Sequence, residues 1–182
     1  MSYYLSGKHI YLREVRLSDV NDRYYSWLND PEVNQFLETR YSPRSLENIA
    51  EFVRIHDGKS DEPFFAICLN KDDSHIGNIK VGPVNWIHRN AAISLLIGDK
   101  SCWGKGYATE AIALIVAYSF NVLNLNKVHA GAYVQNVGSI RAFERNGFRK
   151  EGLLVGQVFH NGQETDVVLL GLRAADYRNF VR

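Results

Sequence analysis

The stretch Ala108 to Leu123, reading ATEAIALIVAYSFNVL, constrains this chain more than any other. It is long enough and apolar enough to be a mostly buried helix, and a buried helix needs other layers to cover it. The segment before it is equally informative. Ala91 to Ile97 (AAISLLI) suits a short strand, and a loop with Gly104 and Gly106 then leads directly into the helix. A helix N-terminus carries unpaired N–H groups and a partial positive charge. Gly104, Gly106 and the small Ala108 let those groups approach an anion closely, which is a phosphate-binding design. Lys105 adds a charge, and Tyr107 is expected to pack at the helix entry. Taken alone, two glycines before a helix specify no more than a tight turn. The loop lacks the Gly-Lys-Ser/Thr ending of a Walker loop and the third glycine of a Rossmann fingerprint.

The rest of the chain supplies the layers. His9 to Glu14 alternates apolar and polar residues, as a half-buried strand does. Ser18 or Asp19 is expected to cap a helix through Leu28, stopped by Asn29-Asp30-Pro31. Ser45 to His56 has helical apolar spacing between Pro43 and Gly58. Phe64 to Leu69, His75 to Val81 and Ala91 to Ile97 read as successive hairpin-connected strands. After the long helix come a strand (Lys127 to Val134), a short helix (Ser139 to Asn146) and two strands (Val155 to His160, Glu164 to Leu170) around Asn161-Gly162, a strong hairpin signal. A last helix is expected from Ala174 to Phe180. This mixed order predicts an α/β sandwich with a largely antiparallel sheet.

Composition narrows the partners. The 182 residues hold 21 basic and 20 acidic side chains, a formal net charge of +1, which makes no electrostatic case for nucleic acid. The two cysteines, Cys68 and Cys102, have no metal-ligand spacing, and no metal is expected. The N-terminus lacks a signal-peptide core and no long apolar run suggests a membrane span, so the expected address is the cytoplasm. No linker divides the chain, and residues 1–182 read as one domain.

A second motif decides what the glycine loop is for. Tyr133 to Phe148 reads YVQNVGSIRAFERNGF: a strand ending at Asn136, a helix opened by Ser139, and a Gly147-Phe148 return. Together, Trp-Gly-Lys-Gly-Tyr-Ala-Thr-Glu-Ala and Asn-x-x-Ser-x-x-x-Phe-Glu-x-x-Gly-Phe resemble the GNAT acetyltransferase superfamily, in its RimJ/RimL-like branch. Leu12-Arg13 and Trp27 to Val33 extend the resemblance over nearly the whole chain. It implies a mixed, largely antiparallel twisted sheet flanked by helices, with splayed central strands. It also implies acetyl-CoA as co-substrate. Its pyrophosphate would lie on Trp103, Gly104, Lys105, Gly106, Tyr107, Ala108 and Thr109, and its pantetheine arm along Leu95, Leu96 and Ile97. Asn136, Ser139 and Phe143 would complete that site, with Ser139 near the thioester sulfur.

The departures from the family pattern matter as much. Many members have a tyrosine acid where this chain has Phe143, which can only pack, so Ser139 is the remaining candidate acid. A glutamate base common in the fourth strand is Ala92 here, and a carboxylate of the late hairpin falls near the apolar Val158. His88, in the turn after Trp86, is the first candidate base, because histidine titrates near working pH. His129 is expected to be structural. Trp27, Phe36, Trp86 and Tyr133 are candidate acceptor-pocket residues. Loss of the usual acid and base is tolerable. Approximation of two reactants lowers a barrier by roughly 7–11 kcal/mol, whereas general base catalysis adds about 10²–10⁴-fold. The resemblance therefore implies direct acetyl transfer to a primary amine, on a small metabolite such as an amino sugar, polyamine or amino acid derivative. Acetylation of a protein N-terminus is the alternative, a coenzyme A-binding module without turnover is another, and a homodimer is the assembly the resemblance suggests.

Overall fold

A computed structural model describes residues 4–180. The strands are β1 (Leu5–Ser6), β2 (Ile10–Glu14), β3 (Phe64–Leu69), β4 (His75–Val81), β5 (Asn90–Ile97), β6 (Lys127–Tyr133), β7 (Arg149–His160) and β8 (Gln163–Arg173). They form one eight-stranded sheet in the order β1-β2-β3-β4-β5-β6-β8-β7. Every neighbouring pair is antiparallel except β5 and β6, which run parallel. The expected mixed, largely antiparallel sheet is what forms. The helices are α1 (Asp22–Asn29), α2 (Pro31–Asn34), α3 (Leu46–His56), α4 (Tyr107–Asn121), α5 (Val137–Glu144) and α6 (Ala174–Phe180).

Two cores lie on opposite faces. On one face Ile112, Ile115 and Val116 of α4 and Ile140 of α5 pack on Ile10, Leu12, Ile67, Ile79, Val128, Ala130 and Leu170. On the other, Tyr24 and Trp27 of α1 and Ile49 and Val53 of α3 cover Tyr11, Ala66 and Cys68. This second layer stops short of β6. Along β6, burial alternates: Val128, Ala130 and Ala132 are inside, while His129 and Gly131 are exposed on the far face. The sheet is thus covered on both faces in its first half and on one face over β6 and β8, while the edge strand β7 is largely exposed.

Several local signals behave as read. Ser45 caps α3, its Oγ accepting from Asn48 N–H at 3.1 Å. Asn161 and Gly162 both take positive φ (52° and 78°), the backbone of a tight two-residue hairpin turn. One expectation is corrected. Asp19 does not cap the first helix; Asn21 does, accepting from the amides of Arg23 and Tyr24. Asp19 instead accepts two hydrogen bonds from the Arg13 guanidinium, both at 2.7 Å, within a mostly buried pair. A cation held inside the fold needs an anion beside it, and that need overrides local capping preference. Burial pushes the Asp19 carboxyl up, but Arg13 and the Arg16 amide outweigh it and hold it below the ordinary carboxylate value.

Candidate active site

The strand junction β5–β6 sets the site. Its Cα partners are Asn90 with Lys127, Ala91 with Val128 and Ala92 with His129, and there the pairing stops. Both strands continue, β5 to Ile97 and β6 to Tyr133, so they diverge into a fork. The β5 side of the fork is bare. Ala92 O accepts from Gly82 N–H and Gly98 N–H donates to Ile76 O, each at 2.9 Å, so the even-numbered residues turn their main-chain groups towards β4. Alternation along a strand then aims those of Leu95 and Ile97 into the fork. Leu96, named alongside them from the sequence, directs its main chain to β4 and its side chain into the second core. The Ile97 carbonyl is taken by the Trp103 indole N–H at 2.7 Å, which ties the glycine loop to the strand end.

At the mouth of the fork lies that loop. Gly104 (φ 71°) and Gly106 (φ 85°) are left-handed, and a Cβ built on either would meet nothing within 4 Å. Left-handed backbone favours glycine, and the open space above it admits a ligand. The first main-chain bond of α4 runs from Glu110 N–H to Gly106 O at 3.0 Å. The preceding amides, Tyr107, Ala108 and Thr109, are the helix's unpaired donors. Lys105 is exposed beside them, and Tyr107 packs partly into the core as expected. Diphosphate chemistry fits this cradle without rearrangement. Gly98 anchors it from below: a Cβ there would lie 2.0 Å from the Trp27 ring.

Across the fork, Asn136 caps α5 by accepting from Ser139 N–H at 3.2 Å, which leaves the half-buried Ser139 side chain at the helix start. Phe143 is only 2% exposed and packs edge-on against Phe148, so it offers a ligand almost no surface. The four acceptor-pocket candidates divide. Phe36 and Tyr133 meet, with ring centroids 6.0 Å apart, and His160 stacks on Phe36 at 5.3 Å. The Tyr133 hydroxyl donates to Glu38 and accepts from Arg40 at 3.2 Å. Burial, then the Glu38 contact, pushes it up to about 12. Arg40 and Tyr41 also donate to Phe159 O, each at 2.9 Å, strapping the segment after α2 to the β7–β8 hairpin. Trp27, by contrast, is a core residue, 4% exposed and edge-on to His75. Trp86 lies in the β4–β5 turn with His88.

That turn corrects the first choice of base. Asn85 and Asn90 bond each other's main chains across it, and His88 sits exposed between them, its N–H on Asn85 Oδ1. It lies beyond Asn90, at the end of the sheet where β5 and β6 are still paired. His88 and Trp86 are therefore on the wrong side of the closed rungs to reach the fork. A cleft of about 350 Å³ between the end of α3 and the start of β3 is also remote from it, at the β2–β3 side of the sheet.

Residues 9–149 match the model of the family described as acetyltransferase (GNAT) domain. The chain belongs to the GNAT acetyltransferases. This GNAT chain is 35% identical over 135 residues to the spermidine N(1)-acetyltransferase of Vibrio cholerae serotype O1, covering 74% of this chain and 77% of that protein. It is 29% identical over 184 residues to the probable N-acetyltransferase YjcK of Bacillus subtilis, covering 94% and 98%. Among solved structures, the spermidine N-acetyltransferase from Vibrio cholerae in complex with CoA and spermine superposes with a TM-score of 0.84 at 27% identity, over 93% of this chain and 98% of that one. The protein is accordingly an N-acetyltransferase that takes its acetyl group from acetyl-CoA. Bringing a thioester and an amine together is the largest part of the barrier reduction such a site can provide.

Proposed function

We propose that this enzyme acetylates a primary amine of a small polyamine-class metabolite, by direct attack within a ternary complex. The fork carries this reading. One face of it is closed by α4 and α5, and the other, over His129 and Gly131, is open. A coenzyme lying on Trp103 to Thr109 and running down Leu95 and Ile97 would leave that open face to the acceptor. Carboxylates border the route, with Glu38 at the Tyr133 end, held by the Tyr133 hydroxyl, and Glu151 at the Lys127 end, where Lys127 is its present partner and an ammonium group would compete for it. Anionic groups spaced along a groove suit a chain bearing several ammonium groups. The spermidine acetyltransferase relatives support the same class.

Ser139 is assigned to the leaving sulfur, as proton donor. Trp103 at the loop's opening and the Trp27 to Val33 stretch support a place in the RimJ/RimL-like branch. We read the chain as a single domain over 1–182, acting in the cytoplasm as a homodimer. Near-balanced charge argues against nucleic acid or a membrane surface as partner. The test is thiol release from acetyl-CoA over a panel of diamines, polyamines, amino sugars, amino acid derivatives and peptides with free N-termini. Release led by polyamines is expected. Release confined to peptides would transfer the assignment to protein N-termini, and tight coenzyme binding with no release from any amine would leave only a binding module.

A further inference from the structure

We propose that His129 accepts the proton from the acceptor's ammonium group and is thus a catalytic residue of this transferase. This rests on the amine entering by the uncovered face, as above. His129 is in the last paired rung of the β5–β6 junction, opposite Ala92, where the fork begins. Partners in a parallel ladder project to the same face, so the imidazole stands across from the methyl of Ala92, which occupies the place of the glutamate base common in the family's fourth strand. Val128 and Ala130, on either side of it, are buried under α4, so His129 must point to the open face.

The surroundings leave room for a substrate. A cleft of about 220 Å³ lies over the paired rungs, lined by Asn90, Lys127, His129, Ala130, Glu151 and Leu169, with Leu170 behind, and His129 stands between it and the fork. Next along β6 is Gly131, which adds no side chain between His129 and the fork, and next along β5 on this face is the exposed Ser94. The charged groups facing the ring are Lys127 on its own strand and Glu151 from β7, which bond each other at 2.6 Å. β8 contributes Gly171 and Leu169, and β5 contributes Asn90 and Ala92, none of which titrates. Partial desolvation within the cleft, then Lys127, hold the imidazole below its ordinary value, with Glu151 opposing. The ring is therefore neutral at neutral pH and free to take a proton.

One ammonium proton passes to the imidazole, directly or through one water. The freed nitrogen lone pair forms the N–C bond to the thioester carbonyl carbon. The C–S bond breaks with its electron pair on sulfur, and Ser139 gives its hydroxyl proton to that thiolate while taking the second proton from nitrogen. The imidazolium then releases its proton to solvent.

The experiment compares wild type with His129→Ala and His129→Gln, using spermidine as acceptor at saturating acetyl-CoA and following kcat/KM from about pH 5.5 to 9.5. Both variants should lose roughly 10²-fold near neutral pH, the low end of general base catalysis. They should also lose the acidic limb that the wild type shows. Added imidazole should restore part of the rate in the alanine variant, while coenzyme A affinity and melting temperature stay at wild-type values. A folded variant that keeps the wild-type rate or the acidic limb overturns the proposal, as does a rate loss fully explained by weaker coenzyme binding. If the wild type releases no thiol with any polyamine, the acceptor reading itself has failed, and His129 falls with it.

Discussion

The two halves of the sheet are built for different purposes. From β2 to β4 the sheet is packed on both faces, against α4 on one and α1 and α3 on the other, with buried polar groups such as Asp19 and His75 locked to partners. Beyond the fork, β6 and β8 have one covered face, and the edge strand β7 leaves side chains such as Leu153, Val155 and Phe159 exposed to solvent. The first half spends its residues on rigidity. The second leaves surface open, and the fork lies where the two meet. The comparison makes a sharp claim: substitutions in the packed half should change stability, and substitutions around the fork should change binding or rate.

Asp19→Asn tests the packed half and should have the largest effect. Breaking a buried ion pair leaves Arg13 uncompensated and typically costs about 3–5 kcal/mol, on the order of 10 °C in melting temperature for a domain of this size. Acid titration gives the sign. The carboxyl is held below its free value of 3.8, so its contribution is complete above that pH and is lost as pH falls through the depressed folded value. Calorimetry below pH 4 should find the wild type losing this increment and the variant having none to lose. Unchanged melting at neutral pH would break the contrast from the packed side.

Gly106→Pro tests the fork. Proline locks φ near −65° where the loop needs 85°, and it removes an amide at the anion site. Loss of a hydrogen bond to a charged group is worth about 1.5–3 kcal/mol, roughly a 10- to 150-fold weaker coenzyme A affinity by calorimetry. Circular dichroism should show the fold retained. Wild-type affinity in the folded variant would contradict the anion cradle.

Ser139→Ala should have the smallest effect. A thiol has a free pKa of about 8.5, so its departure needs little help. A fall in kcat of roughly 5- to 10-fold, or about 1 kcal/mol, with KM for acetyl-CoA unchanged, is the outcome a proton donor at this place requires. A kcat equal to wild type would remove Ser139 from the chemistry and leave positioning as the sole contribution of that helix start.

What was legible in the chain was whatever is locally encoded. Phe64 to Leu69 and His75 to Val81 form strands over the very residues their composition indicated, and Asn161-Gly162 turns the hairpin. The glycine loop and its helix were legible because special backbone angles demand special residues. The short strand Leu5–Ser6 and the helix Pro31–Asn34 were not, since two to four residues carry too little pattern. Strand β7 starts at Arg149, well before the expected Val155, because exposed edge residues need no apolar alternation. The candidate base was misplaced for a different reason. Which end of β5 pairs with β6 depends on register between distant segments, and no local signal reports it. His129 did leave a trace: in Lys-Val-His-Ala-Gly-Ala-Tyr every second residue from Val128 is apolar, which puts the histidine on the outward side.

The three rungs between β5 and β6 have one more consequence. Among the described residues they are the strand rungs that join one half of the sheet to the other, extended only by the Arg89 carbonyl, which accepts from Asn126 and Lys127 N–H at 2.6 and 3.2 Å. An extended arm lying in the fork would act as a temporary ninth ribbon, lengthening that seam from within. The coenzyme would then be a splint as well as a reagent, and amides of β5 and β6 should exchange hydrogen more slowly each time it is in place.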